Sequence, residues 1–159
     1  MLPRWWTSCS EEISFVPRPE SLVRRAWRLT AFEKLLAVEA AVALTAACAI
    51  VRCSPGPLIG SILRGRPTGR RPARAVNVNA SSIAVAIARV APHHPFRPQC
   101  LEQALASRWM LARRGQPSRL VIGARQHAFE AHAWLEVNGR VLREAAHAGR
   151  YEPIWRSER

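Results

Sequence analysis

The order of hydrophobic periodicities predicts an α+β fold: a helical N-terminal half, then a helix packed on an antiparallel sheet. Three features carry that prediction. A helical stretch beginning near Pro98 has start and stop signals at both ends. The segment Ser118–Gly123 holds the continuous apolar run Leu120, Val121, Ile122. Two alternating stretches meet at Asn138-Gly139. At 159 residues the chain has the length of one domain, enough to bury about two-thirds of its unfolded surface.

Pro17 and Pro19 close an irregular N-terminal stretch, and from Glu20 the pattern turns helical, with Leu22, Ala26, Trp27 and Leu29 set among arginines. A second helix is expected from about Ala31 to Val51, where strong helix formers dominate. Its uncharged apolar run, Ala40–Val51, is shorter than the roughly 20 residues that a membrane span requires. A buried helix is therefore expected there, and no integral membrane segment. Ser54-Pro55-Gly56-Pro57 ends it, and the Arg- and Pro-rich stretch Arg64–Arg74 reads as a basic linker. Residues 1–75 thus form a helical region with its linker, and residues 76–159 form the core.

Within that core, Asn79 or Ser81 can cap a helix running to about Val90, with Ile83, Val85, Ile87 and Val90 as its apolar residues. The next helix is the best punctuated. Pro98 suits its first position, Glu102 complements its positive end and Arg113 and Arg114 its negative end, and Gly115 and Pro117 terminate it. Ser118–Gly123 has the character of a strand buried on both faces. Phe129–Val137 and Arg140–Glu144 read as two further strands joined by a hairpin.

The formal net charge of +13 comes almost wholly from arginine, Lys34 being the one lysine. Such a field attracts anionic partners. The arginines are scattered, however, and form no recognisable nucleic-acid module, so nucleic acid is not the expected partner. Pro3, Arg4 and Ser8 interrupt the opening residues where a signal peptide needs an apolar run, which points to a cytoplasmic protein with reduced thiols. The cysteines are Cys9, Cys48, Cys53 and Cys100, with no CxxC pair. Cys48 and Cys53 suit packing, and Cys9 is uninformative.

Cys100 is the candidate nucleophile. In the first turn of a helix, the macrodipole and the unsatisfied N–H groups favour a thiolate and can hold an oxyanion. Gln99 could add an oxyanion donor. A thiol nucleophile needs a base, and HAWLEV (His132–Val137) offers one. On a strand His132, Trp134 and Glu136 share one face, and His132 can look toward a helix packed across the sheet. Trp134 reads as a packing wall. The hairpin leaves two registers open. A two-residue Asn138-Gly139 turn pairs Val137 with Arg140 and puts His132 and Glu144 on opposite faces. A three-residue loop with a bulge at Gly139 pairs Glu136 with Arg140 and sets His132 opposite Glu144. Only the second lets Glu144 orient the imidazole, so a catalytic triad predicts the bulged loop.

These segments, CLEQALASRWMLARRG, SRLVIGAR and HAWLEVNGRVL, resemble the catalytic core of the transglutaminase-like peptidases of lasso-peptide biosynthesis, over about Ile83 to Glu144. The resemblance implies a papain-like fold with Cys100 as nucleophile, His132 as base and, at the position of the family's aspartate, Glu144. Glu136 is the fallback for the third role. It also implies a leader peptidase of the stand-alone form, without a fused recognition domain and without a cofactor. Its implied partners are a lasso precursor peptide, a separate leader-binding protein and an ATP-dependent lasso cyclase. A non-catalytic scaffold of the same fold and a basic nucleic-acid-binding protein are the alternatives. A metal site from Cys100, His93, His94 and His132 is disfavoured, since adjacent histidines rarely ligate one ion. His127 reads as a surface residue, and His147 as lying beyond the last strand.

Overall fold

A computed structural model describes residues 29–54, 60, 79–125, 130–143 and 148–157. The helix expected from Glu20, the basic linker, and Cys9, His127, Glu144 and His147 lie outside the described residues.

Helix α1 runs from Ala31 to Cys53. Thr30 starts it through a reciprocal capping box: its hydroxyl accepts the Glu33 N–H at 3.2 Å, and the Glu33 carboxylate accepts the Thr30 N–H at 3.0 Å. Leu36, Ala40, Leu44, Ala47 and Cys48 recur at helical spacing and face inward. By length and composition α1 would suffice to cross a membrane, a property that its apolar character shares with core helices. Its inner face packs on two other helices, while Leu35, Val38 and Val42 remain exposed.

Helix α2, Ala80–Val90, is capped by Asn79, whose side-chain oxygen accepts the Ser81 N–H at 3.2 Å. Ile83 and Ile87 are buried, but Val85 faces outward, because a 3.6-residue repeat turns position 85 away from both. A 3-10 turn, Ala91–His93, follows. Helix α3 spans Cys100–Ala112. It begins two residues later than Pro98 suggests, because the Glu102 carboxylate accepts the Gln99 N–H and makes Gln99 the cap. Its end follows expectation. Gly115 adopts φ +67°, and the N–H groups of Gln116 and Gly115 bond to the carbonyls of Leu111 (3.0 Å) and Ala112 (2.9 Å), a Schellman motif.

The sheet comprises β1 (Arg119–Arg125), β2 (Glu130–Val137), β3 (Arg140–Val141) and β4 (Glu152–Arg156), all antiparallel neighbours in the order β3-β2-β1-β4. With helices on one face, this is the expected α+β architecture. β1 is central, and both its faces are covered. Leu120 enters the core shared with the helices, while Val121 joins Trp134, Ala148 and Tyr151 on the other face. That explains the unbroken apolar run. β4 was not expected. Its Pro153 masks strand character, yet β4 lies at an edge, where a missing N–H is tolerated, and its register shifts beside Gly123. Helix α1 shares the core of the elements beyond residue 79.

The hairpin corrects the bulged-loop expectation. Val137 pairs with Arg140 and Glu136 with Val141 across a two-residue turn. Asn138 (φ +52°) and Gly139 (φ +77°) both take left-handed backbone. Such a turn matches the right-handed twist of the strands it joins, and Asn-Gly fills both of its positions at little steric cost. The strand register that would have set Glu144 opposite His132 is therefore not formed.

Candidate active site

Cys100 is the first residue of α3 and is half-buried. By helix geometry the N–H groups of this turn have no intrahelical acceptor and point out of the helix end. The start is fixed by a network around one buried carboxylate. Glu102, on the same turn, has no exposed surface, and its carboxylate accepts from Arg52 Nε at 3.0 Å as well as from the Gln99 N–H. Arg52, in the last turn of α1, also donates to the Phe96 carbonyl at 2.7 Å. Cys48 lies against this carboxylate. Burial, with the Glu102 charge and a hydrogen bond to Glu102, pushes its thiol up from the usual range and keeps it protonated. Cys53, read from the sequence as a packing residue, is exposed at the end of α1.

Gln99 does not have both amide hydrogens available as an oxyanion donor: its Nε2 donates to the Arg97 carbonyl at 3.0 Å. Gln103, which the sequence did not single out, connects more. Its Nε2 donates to the Pro98 carbonyl at 2.8 Å, and its oxygen accepts from Arg143 at 3.0 Å. A spacing of three positions from Cys100 puts it one turn further along the same face. Arg143 leaves β3 immediately before Glu144. This bond ties Arg143, just after β3, to α3.

His132 is buried near the start of β2, opposite Gly123 of β1. Its ring stacks on Trp134, with centroids 6.0 Å apart and an interplanar angle of 20°, and on Tyr151, at 5.2 Å and 28°. Ala133 and Leu135 face the helices, so strand alternation puts the imidazole on the opposite, aromatic face. The imidazole thus lies among the rings of Trp134 and Tyr151. Helix α3 packs on β2, and β3 pairs with β2 at Glu136 and Val137, with the Leu142 N–H donating on to the Leu135 carbonyl at 2.8 Å.

Tyr151 is a site residue that sequence reasoning missed, since it precedes a strand that was not foreseen. Its hydroxyl donates to Glu130 at 3.3 Å. Trp134 is the packing wall expected: its ring covers Gly123, and its buried Nε1 finds no hydrogen-bond partner among the described residues. Glu136 cannot orient the imidazole directly, because four positions along a regular strand separate it from His132 by about 13 Å. His94 is occupied structurally. Its Nε2 lies 3.0 Å from the Thr45 hydroxyl, and its Nδ1 accepts the Phe96 N–H at 3.4 Å.

Compared with known proteins, residues 40–156 match the family model described as the transglutaminase-like superfamily. No curated protein and no solved structure gives a match.

Proposed function

The chain belongs to the transglutaminase-like superfamily, which includes cysteine proteases, and from that premise we propose that it is a cysteine peptidase that removes the leader from a lasso-peptide precursor. The observation that carries the reading is the place of Cys100, first residue of a helix that packs on the strand bearing His132. Cys100 attacks the carbonyl at the leader–core junction with His132 taking the thiol proton. Backbone N–H groups at the start of α3 hold the oxyanion, and His132 protonates the departing amine. Water then hydrolyses the thioester.

In this reading Glu144 is the third member, the role that the family resemblance implies for it. The partners are the precursor, a separate leader-binding protein and an ATP-dependent cyclase in the cytoplasm. No cofactor enters the reaction.

A non-catalytic scaffold of the same fold is the second reading, favoured by the position of His132 on the aromatic face. Incubating Cys100→Ala and the native chain with a matched precursor and helper protein, and following cleavage by mass spectrometry, decides between them. The peptidase reading expects native cleavage and none by the variant. Equal cleavage by both sinks it.

A further inference from the structure

We infer that Arg52 and Glu102 are a pair of positioning residues that sets both the placement and the charge environment of the Cys100 thiol. The inference rests on the reading of Cys100 as nucleophile. A carboxylate with no solvent exposure, two positions from a nucleophilic cysteine, is an unexpected choice. Its negative charge opposes formation of a thiolate nearby, and only partners can make its burial tolerable.

The partners are present. Arg52 Nε meets Glu102 Oε1 at 3.0 Å, and the Gln99 N–H meets the other oxygen. Arg52 Nη2 reaches the carbonyls of Phe96 at 2.7 Å and Arg97 at 3.5 Å. One guanidinium thus ties the end of α1 to the turn before Cys100 and to the first turn of α3. That turn includes Arg97, held at φ +42°, a left-handed backbone that is rare for an arginine. The pair therefore has two separable effects. Glu102 fixes where the helix begins and hence where Cys100 sits, and Arg52 cancels the charge that Glu102 brings.

Other charged or titratable groups surround α3: Arg108 is buried on the helix itself, and beyond its far end Arg113 and Arg114 meet Glu39 of α1. Cys48 belongs to α1 and is held neutral. Arg89 of α2 is paired with Glu33, and Arg125 of β1 lies 3.8 Å from Glu130 of β2. His94 and Arg97 precede the helix, His132 lies on β2, and Arg143 is bonded to Gln103. Arg52 is the cation in contact with Glu102.

Opposite signs test the idea. Full-length native chain, Arg52→Gln, Glu102→Gln and the double variant are labelled with iodoacetamide at pH 6.5, and the rate at Cys100 is read by peptide mapping. Arg52→Gln strands the carboxylate and should slow labelling about tenfold, the change that one pKa unit implies. Glu102→Gln leaves the cation and should speed labelling severalfold. The double variant, with neither charge, should return near the native rate. Circular dichroism checks folding, and the Glu102→Gln and double variants carry the test should Arg52→Gln unfold. The inference is overturned if folded variants all shift in one direction, as local disruption would make them, or if none shifts. Because labelling needs no peptide substrate, its outcome is separate from that of the Cys100→Ala cleavage assay.

Discussion

Replacing Gly123 with alanine probes the packing that holds His132. A Cβ at position 123 would lie 2.7 and 2.8 Å from two ring carbons of Trp134, and 3.0 Å from the Glu152 carbonyl oxygen. Carbon atoms at ease sit about 3.5–4.0 Å apart, so the overlap approaches 1 Å. The carbonyl belongs to the backbone of β4, paired with β1, and cannot retreat cheaply. The ring must move instead, and it is buried and stacked on His132. Overpacking of this kind costs about 1–3 kcal/mol, offset by about 0.4–1 kcal/mol from the lost freedom of glycine in the unfolded chain. The net expectation is a loss of about 1–2 kcal/mol, read as a fall in the urea midpoint of roughly 0.5–1 M for m near 2 kcal/mol/M. In a Trp134→Leu background the ring is gone, and the same substitution should cost little or nothing, giving a coupling energy above about 1 kcal/mol. A Gly123→Ala midpoint at or above the native one, or an undiminished loss in the Trp134→Leu background, would refute the reasoning.

Further outcomes are expected elsewhere. Arg114 grips Glu39 through both terminal guanidinium nitrogens, Nη2 at 2.5 Å and Nη1 at 2.9 Å, and holds its carboxyl below the usual range. A lowered folded pKa means stability present above the ordinary carboxylate value and lost as pH falls through and below it. Glu39→Gln should remove that part of the acid sensitivity between pH 5 and 3, worth about 0.5–1 kcal/mol after solvent screening, in urea melts across this range. Thr30→Ala should lower stability by about 1 kcal/mol through loss of the α1 cap, and an unchanged melting temperature would contradict the capping box. Tyr151→Phe keeps the ring on His132 and should leave cleavage near native. Tyr151→Ala should cost about 3 kcal/mol or more and lower kcat even well below its melting temperature. Equal kcat for the two variants would remove the aromatic clamp from the account.

Much of the local structure was legible because it depends on neighbours in sequence. Asn79 and Gly115 act through hydrogen bonds to residues within one or two turns, and the helix and strand periods show which side chains face inward. Leu120 and Val121, adjacent and both buried, mark the central strand of the sheet. The hairpin was harder. Asn138-Gly139 suits two loops, and the strand twist that selects the two-residue turn is a property of the assembled sheet. β4 was hidden because its Pro153 reads as a strand breaker unless an edge is available, and whether a strand lies at an edge depends on its partners.

The candidate site divides the same way. Sequence alone determined that a cysteine lies in the first turn of a helix and that a histidine lies near the start of a strand further on, since capping and alternation are short-range. Only the tertiary structure decided which face of the sheet the imidazole takes, which rings hold it, and that Arg52 and Glu102, fifty positions apart, meet at the turn that opens the cysteine's helix. Those choices follow from burial. A carboxylate removed from water requires a cation that the fold must bring from elsewhere in the chain, and no local pattern records which one arrives.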